Sequence, residues 1–286
     1  MQEIVYLNGA LTPRGQAKVP VLDYGFLYGY GLFETMRAYN GTVFRLESHL
    51  HRLAKSADKL GIPVEIEKLN KAINDTLRAN GLKEARVRLT VSAGEGGAVP
   101  DPCSCKTPTV LVMATSLNPY SKEIYEKGLK VIISSIRRNS LSPISGMKTT
   151  NYLENILARQ EATTKRANEA ILLNEKGSIT EASFSNVFIV NKDILKTPVL
   201  ESGILPGITR SVVQEIAHAT GIVYLETNIQ LGKLTRADEV FLTNSIMEIM
   251  PVIMIDGKQV GNGRPGIITR KLMGAYRQLV KEETSG

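Results

Sequence analysis

The sequence is poor in the residues that bind metals or form cross-links, with only two cysteines and three histidines among 286 residues. Both cysteines, Cys103 and Cys105, lie in the stretch PDPCSCKTP. Neighbours this close in sequence seldom pair as a disulfide, and no second pair is present to complete a metal site. We therefore expect no metal site, cysteines without a catalytic role, and a reducing compartment, the cytoplasm.

Long apolar runs are also missing. No stretch approaches the roughly 20 consecutive apolar residues that a membrane-spanning helix requires. The start of the sequence, MQEIVYLNGALTPRG, lacks the basic and then apolar pattern of a signal peptide. The sequence therefore predicts a protein without a membrane partner, which agrees with a cytoplasmic location.

No block of like charge is present either. The formal net charge is +7 and the pI is near 9.3, so a nucleic-acid partner has to be considered. However, the Lys and Arg residues are spread along the chain among Asp and Glu, and no aromatic-rich binding module accompanies them. We predict no nucleic-acid partner and interpret the positive charge as an aid to binding small anionic ligands.

The sequence does contain clustered strand patterns with helical patterns between some of them. The strand patterns lie at 85–93, 109–116, 129–136, 170–174, 185–190 and 238–244, and the helical patterns at 46–61, 207–221 and 266–283. Because the strands do not strictly alternate with helices, the sequence predicts an α+β fold over a doubly wound parallel sheet. A polar break around Pro119 predicts two domains, 1–118 and 119–286.

The stretch GMKTTNYLENILARQEA (146–162) places Lys148 just before a helical pattern. Asn151 is predicted to cap this helix, with Glu154 as its reciprocal partner. The pattern predicts a mostly buried helix with an apolar stripe on the face that holds Tyr152, Leu153, Ile156, Leu157 and Gln160. A lysine near a helix N-terminus meets a positive potential that favours the neutral, nucleophilic amine. This stretch by itself favours a solvated surface lysine over a nucleophile.

Three further stretches carry polar groups at the start or end of apolar elements. Glu181, in GSITEASFSNVFIV, could hold a pyridinium proton or belong to a turn. LPGITR (205–210) opens a helix and could bind an anion or form a simple Pro-Gly turn, and Thr-Asn-Ser (243–245) offers either more phosphate donors or a polar turn. Together with Lys148 they supply an amine, a ring-nitrogen partner and a phosphate cradle, which pyridoxal phosphate requires.

The order and spacing of Lys148, Glu181, LPGITR and TNSIMEIMPV (243–252) resemble the fold-type IV (class IV) pyridoxal-phosphate enzymes. These include branched-chain and D-amino acid aminotransferases, R-selective amine transaminases and 4-amino-4-deoxychorismate lyases. The resemblance extends over nearly the whole chain. It implies a smaller N-terminal α/β domain, a larger C-terminal domain with a β-barrel-like core, pyridoxal 5'-phosphate between them, and a homodimer.

The resemblance also implies roles for individual residues. Lys148 is expected to be the catalytic Schiff-base lysine, which moves the substrate proton, and Glu181 the partner of the pyridine nitrogen. The other expected cofactor contacts are Arg52, Ile208, Thr209 and Ser245 around the phosphate and Tyr152 at the phenolic oxygen. The expected substrate contacts are Tyr28, Phe33, Thr35, Arg37, Arg88 and Ile246.

Two activities of this family fit the sequence. Transfer of an amino group from an amino acid or amine to a 2-keto acid, with a branched-chain-like or broad donor range, is favoured by the lysine stretch and by IDGKQVGNGRPG (255–266). Thr35 lies where branched-chain enzymes have glycine and aminodeoxychorismate lyases have threonine. A lyase that releases pyruvate and yields 4-aminobenzoate is therefore the alternative. A basic binding protein without catalysis is the third possibility.

Overall fold

The computed structural model describes residues 3–285, and the chain divides into two compact units. Unit 1 comprises Met1–Asn118, Met147–Asn151 and Val280–Gly286, and unit 2 comprises Pro119–Gly146 and Tyr152–Leu279. The first segment of unit 1 ends at Asn118. Two short later segments, one of which contains Lys148, group with unit 1 as well.

Unit 1 is built on an antiparallel six-stranded sheet covered by two amphipathic helices. Its elements are β1 Ile4–Leu7, β2 Ala10–Pro13, α1 Tyr24–Tyr28, β3 Gly31–Tyr39, β4 Thr42–Val43, α2 Leu46–Lys59, α3 Ile66–Ala79, β5 Ala85–Ser92 and β6 Thr109–Ser116. The strand order is β2-β1-β6-β5-β3-β4. Leu50 and Leu53 of α2 and Ile73 of α3 pack with Leu32 and Met36 of β3 in one buried core.

Strand β3 separates two kinds of side chain, because successive residues of a strand point to opposite faces. Leu32 and Met36 share the face that packs against the helices. Phe33 and Thr35 lie on the opposite face, where Thr35 pairs with Arg88 of β5. The helices therefore cover one face of this sheet, while the other face carries the residues predicted to bind substrate.

Unit 2 holds a closed barrel of six strands. The remaining elements of the chain are α4 Lys122–Lys127, β7 Leu129–Arg138, α5 Leu153–Thr164, β8 Glu169–Asn174, β9 Ile179–Ala182, β10 Asn186–Asn191, β11 Ile194–Thr197, α6 Ile208–Ala219, β12 Tyr224–Glu226, α7 Leu231–Leu234, β13 Glu239–Asn244, β14 Glu248–Ile255, β15 Lys258–Gln259 and α8 Ile267–Thr284. The barrel runs β10-β13-β14-β7-β8-β9, and the pairing of Asn186 with Glu181 returns it to β10. Strands β11, β12 and β15 extend this sheet.

This architecture confirms the predicted α+β class and the barrel-like core of the C-terminal part of the chain. Each of the six strand patterns and three helical patterns corresponds to an observed element: the strands are β5, β6, β7, β8, β10 and β13, and the helices α2, α6 and α8. The sequence reading did not identify α3 or the strands β9 and β14, which complete the helical cover of unit 1 and the barrel of unit 2.

Two expectations for helix α5 are wrong. The N-cap residue is Tyr152, not Asn151, and no side chain caps this end. The predicted apolar face is exposed, with Leu153 at 64% and Ile156 at 50% of their full accessibility. The buried residues of the helix are instead Asn155, Ala158 and Ala162. Small alanines face a core that includes Ile132 of β7 and Leu172 of β8, because only small side chains let a helix approach strands closely.

Within residues 3–285, no helix combines the length and the apolar character needed to cross a bilayer. The same part of the chain contains no group of three or more His, Cys, Asp or Glu side chains that could hold a metal ion. Cys103 and Cys105 are both free thiols, the first exposed and the second half-buried.

Candidate active site

The predicted substrate residues of unit 1 line one face of the β3–β5 pair. Phe33, Thr35 and Arg37 alternate along β3, and Arg88 lies directly opposite Thr35. The Arg88 guanidinium carbon is 3.9 Å from the centre of the Phe33 ring, and that of Arg37 is 4.3 Å from the Tyr39 ring. A guanidinium group over an aromatic ring is attracted by the ring face, so this face presents cations beside an apolar surface.

Tyr28, the remaining substrate residue predicted in unit 1, lies at the last position of α1. Its side chain is exposed, and its ring meets the buried Tyr24 ring edge to face at 4.9 Å. Gly29 ends this short helix in the left-handed conformation, with φ +67°. The exposed phenol of Tyr28 is therefore held on a well-anchored turn.

Lys148 is fixed by backbone hydrogen bonds to the open edge of β3. The Phe33 N–H donates to the Lys148 carbonyl at 2.9 Å, and the Thr150 N–H donates to the Gly31 carbonyl at 2.9 Å. The Lys148 Nζ atom lies 4.5 Å from the centre of the Phe33 ring. Helix α5 begins five residues later, at Leu153. The sheet, not the first turn of that helix, thus positions the lysine.

Gly31 makes this edge pairing possible. A Cβ atom at residue 31 would lie 2.9 Å from the Val91 carbonyl oxygen and 3.2 Å from Thr150 Oγ1. Both distances are closer than packed atoms normally approach, so a larger residue would force a shift in β5 or in the segment that carries Lys148.

Arg52 lies in a buried cluster on the helix-covered side of unit 1. Its Nε and Nη2 atoms donate to Glu34 Oε1 and Oε2 at 2.8 and 2.5 Å, and His49 Nδ1 is 2.7 Å from Glu34 Oε2. Burial alone would raise the pKa of Glu34, but the neighbouring Arg52 and His49 outweigh it and bring the pKa to about 2. Burial, with help from Arg52 and Lys148, lowers the pKa of His49.

Sequence reasoning missed Glu34 and His49. The signal was an acidic residue on β3 between Leu32 and Met36, where the strand pattern requires a core side chain. A carboxylate survives there because a bidentate arginine and a histidine surround it.

Glu181, the predicted ring-nitrogen partner, is a buried carboxylate at the seam of the barrel in unit 2. Arg138 Nη1 lies 3.1 Å from its Oε1 atom. The Leu205 N–H and the Asn186 amide donate to Oε2 at 2.9 and 3.3 Å. A carboxylate can accept about four hydrogen bonds, so these three contacts fix Glu181 and still leave room for one more donor.

The predicted phosphate residues Ile208 and Thr209 are the first two residues of α6. Gly207 is the N-cap residue, and no side chain caps this end, so its N–H groups can meet a ligand. The Asn186 side chain donates to both Glu181 and the Leu205 carbonyl, which ties the helix start to the carboxylate. A helix start of this kind favours an anion.

Ser245 and Ile246 lie in the turn after β13. The Asn244 side chain accepts from the Ile246 and Met247 N–H groups at 2.9 and 2.8 Å and donates to the Phe184 carbonyl at 3.1 Å. Nearby, Thr243 pairs with Asn186 of the adjacent strand β10. Among the described residues, the buried hydroxyls of Thr243 and Ser185 have no hydrogen-bond partner, so polar groups collect where the sequence predicts a phosphate.

Tyr152 completes the predicted set in unit 2. Its hydroxyl donates to the Ser183 carbonyl at 3.3 Å, and its ring lies 5.6 Å from that of Phe184. Unit 2 therefore links several of its predicted residues through short contacts, and unit 1 places both Lys148 and Arg88 against the ring of Phe33. The sequence analysis did not identify Arg138 and Asn186, which contact Glu181, or Asn155, which contacts Arg138 and shares the Ser183 carbonyl with Tyr152.

Comparison with known proteins gives a consistent result. Residues 31–255 match the family model described as amino-transferase class IV. The chain is 40% identical over 278 residues to a putative branched-chain-amino-acid aminotransferase of Methanocaldococcus jannaschii, covering 96% of each protein. It is 35% identical to the aminodeoxychorismate lyase of Bacillus subtilis, covering 97% of this chain and 95% of the lyase.

A solved structure shares the fold as well. The branched-chain aminotransferase of the thermophilic archaeon Thermoproteus uzoniensis, in a structure with norvaline, superposes with a TM-score of 0.91 at 37% identity, covering 99% of this chain and 97% of the other.

Proposed function

Because the chain belongs to the class IV aminotransferase family, whose members use pyridoxal phosphate, we propose that it is a pyridoxal-phosphate-dependent branched-chain aminotransferase. The reaction moves an amino group from an amino acid to a 2-keto acid. The observation that carries the proposal is Glu181, a buried carboxylate held by three donors with capacity for a fourth. The sequence identity to branched-chain enzymes supports the same conclusion.

The residues present fit this cofactor. The spare acceptor capacity of Glu181 suits a pyridinium N–H. The uncapped start of α6 at Ile208 and Thr209, with unpartnered hydroxyls nearby, suits a phosphate. Arg52 and Ser245 are the further proposed phosphate contacts, and Tyr152 is the proposed contact of the phenolic oxygen.

When bound, the cofactor supplies a ring that accepts electrons from the α-carbon of the substrate. The Lys148 amine would hold the cofactor between turnovers, and once released it would move the proton from the α-carbon of the amino donor to the cofactor carbon that carries the amino group. Glu181 keeps a proton on the ring nitrogen. Phe33, beside Lys148, and Arg88, over the Phe33 ring, are proposed to orient the substrate together with the other predicted pocket residues, Tyr28, Thr35, Arg37 and Ile246.

Thr35 favours a second candidate, aminodeoxychorismate lyase. The Thr35 side chain lies on the proposed substrate face directly opposite Arg88. The relative from Bacillus subtilis carries the lyase name, and the resemblance assigns a threonine at this place to loss of pyruvate. We rank the lyase second because its identity to this chain is 35%, against 40% for the branched-chain relative from Methanocaldococcus jannaschii.

A half-reaction on the protein loaded with pyridoxal phosphate distinguishes these candidates. One amino donor at a time, L-leucine, D-alanine or a chiral amine, is added without keto acid while the absorption spectrum is followed. A transaminase converts the visible band of the lysine-bound cofactor into the near-ultraviolet band of the aminated cofactor, and the rates rank the donors. A band that no donor changes, with pyruvate released from aminodeoxychorismate, identifies the lyase.

We also propose a homodimer in the cytoplasm. The segment before β3 exposes several large apolar side chains, and exposed apolar patches of this kind favour association. They are Val21, Leu22, Phe26, Leu27 and Tyr28. Free thiols at Cys103 and Cys105 support a reducing compartment. Analytical ultracentrifugation tests the assembly: Phe26→Asp is expected to yield monomer, and the similarly exposed Ile267→Asp, at the start of α8, to leave the dimer intact.

A further inference from the structure

Helix α5 directs one side-chain amide, that of Asn155, towards the core of unit 2. Asn155 is buried on the inner face of the helix, beside Ala158 and Ala162. Burying an amide without hydrogen bonds would destabilise the folded protein. The partners of Asn155 therefore indicate what its side chain stabilises.

Asn155 lies between two of the proposed cofactor contacts. Its Oδ1 atom accepts from Arg138 Nη2 at 3.3 Å, and Arg138 Nη1 faces the Glu181 carboxylate at 3.1 Å. Its Nδ2 atom donates to the Ser183 carbonyl at 2.6 Å, the same oxygen that accepts from the Tyr152 hydroxyl. One side chain thus connects the residue proposed for the ring nitrogen with the residue proposed for the phenolic oxygen.

The two bonds to the Ser183 carbonyl differ in length. Asn155 donates at 2.6 Å, and Tyr152 donates at 3.3 Å, near the limit for such a bond. Because the amide already satisfies this buried carbonyl, the Tyr152 proton can leave it without exposing an unpaired acceptor. Without the amide, the carbonyl would depend on Tyr152 alone.

The loop at Ser183 does not need Asn155 as its anchor. The Ser183 N–H donates to the Ala170 carbonyl at 2.9 Å, and its hydroxyl donates to Glu169. Two bonds from Ser183 itself therefore hold the loop, which leaves the contact from Asn155 for another purpose.

We propose that Asn155 is a positioning residue for the pyridine ring: it holds Arg138 against Glu181 and satisfies the Ser183 carbonyl, which releases the Tyr152 hydroxyl to a phenolic oxygen of the ligand. The inference rests on the proposed function, which supplies the ring. Asn155 itself is not expected to contact the ring, but it positions the two residues proposed to do so, Glu181 and Tyr152.

Binding of two probes tests this proposal. Pyridoxamine 5'-phosphate has no aldehyde to react with Lys148, so its affinity reports non-covalent contacts, and its 3-deoxy analogue lacks only the phenolic oxygen. Asn155→Asp keeps an acceptor for Arg138 but loses the donor to Ser183. We expect it to reduce the preference for the phenolic probe by about tenfold, the effect of one hydrogen bond. Asn155→Ala is expected to weaken binding of both probes and to reduce the preference as well.

Two controls separate positioning from stability. Asn174 is a buried asparagine that bonds the backbone of the β8–β9 turn, so Asn174→Ala is expected to lower the urea midpoint and leave the probe preference unchanged. Tyr152→Phe is expected to remove the preference by itself, and Asn155→Asp is then expected to reduce it no further, because the two changes act through one hydroxyl.

The outcomes are distinct. An unchanged preference in Asn155→Asp, with a lowered urea midpoint, overturns the positioning role. Should that variant not fold, the preference of Asn155→Ala decides in the same way. Failure of the wild-type protein to bind either probe would overturn the proposed function and this inference with it. When the wild-type protein binds both probes, the result for the Asn155 variants tests the positioning role alone.

Discussion

The carbonyl oxygen of Lys148 accepts a hydrogen bond from the backbone N–H of Phe33 at 2.9 Å. The proposed catalytic lysine is thus a residue of an extended segment paired with β3, and its side chain ends 4.5 Å from the centre of the Phe33 ring. Backbone bonds position the segment, so the lysine side chain can be changed without disturbing its surroundings.

Replacing this side chain gives the first prediction. Lys148→Ala is expected to fold with an unchanged circular dichroism spectrum but to show no visible band when pyridoxal phosphate is added. Transamination should fall at least about 10³-fold, since both the covalent attachment and the general base are lost. The exposed Lys127, paired with Glu123 in α4, provides the control: Lys127→Ala should keep band and activity. A normal band in Lys148→Ala would exclude the assignment.

The second prediction concerns the start of α6. A Cβ atom at Gly207 would lie 1.9 Å from Asn186 Oδ1, so Gly207→Ala must displace the side chain that holds Glu181. We expect a loss of roughly 1–3 kcal/mol in the free energy of unfolding and weaker binding of pyridoxamine 5'-phosphate. Gly274 in α8 has no atom near that position, and Gly274→Ala should stabilise by up to about 1 kcal/mol. Unchanged probe binding in Gly207→Ala would contradict the link to Glu181.

The third prediction follows from the buried Glu34–Arg52 pair. The pKa of Glu34 is lowered from 4.5 to about 2, so its contribution to stability is complete above about pH 4.5 and is lost as the pH falls towards 2. A shift of this size corresponds to roughly 3 kcal/mol. Glu34→Gln should destabilise at pH 7 by about 3–5 kcal/mol, because Arg52 keeps an uncompensated charge, and should lack this acid dependence.

Urea unfolding between pH 7 and 3 measures this effect. Asp75→Asn, which removes a surface ion pair with Lys71, should change stability little at any pH in this range. Equal pH slopes for Glu34→Gln and the wild-type protein would show that Glu34 does not control acid stability.

The fourth prediction has the opposite sign. Burial raises the pKa of Glu169, even though the Ser183 hydroxyl and the Ala170 N–H both donate to it. A carboxyl whose pKa is higher in the folded than in the unfolded state makes the folded protein less stable as the pH increases. The reason is that the unfolded chain ionises first. The melting temperature of Glu169→Gln minus that of the wild-type protein should therefore increase from pH 5 to pH 8. The increase should be about 2–4 °C for each kcal/mol by which ionisation of Glu169 destabilises the wild-type protein. A difference that shrinks with rising pH would refute this.

The sequence predicted elements where one physical signal dominates. Period-two alternation identified β5, and the pattern of Leu50, Leu53 and Ala57 identified α2, because each sets a buried face directly. The pattern failed for α5, where Leu153 and Ile156 are exposed and Asn155 is buried. There the close approach of the helix to β7 and β8 selects small residues, and only the tertiary structure determines that approach.

The predicted site residues were those with a recognisable local motif, such as Lys148 and the Ile208–Thr209 helix start. Their supports, Arg138, Asn155 and Asn186, have no local signature. Asn155 is 26 residues before Glu181 in the chain, and only the closed barrel brings Arg138 between them. A single sequence does not reveal such contacts, because they depend on strand pairing between distant segments.

The barrel closes at the pairing of Asn186 with Glu181, two residues only five positions apart, so this hairpin can form before the distant strands of the barrel pair. Arg138, which faces the Glu181 carboxylate, comes from β7. A folding intermediate that holds the hairpin but lacks β7 would therefore carry Glu181 without the arginine that orients it. Affinity for a pyridine ring should appear only after β7 has joined the barrel. Ligand binding at this seam would in turn oppose opening of the barrel there.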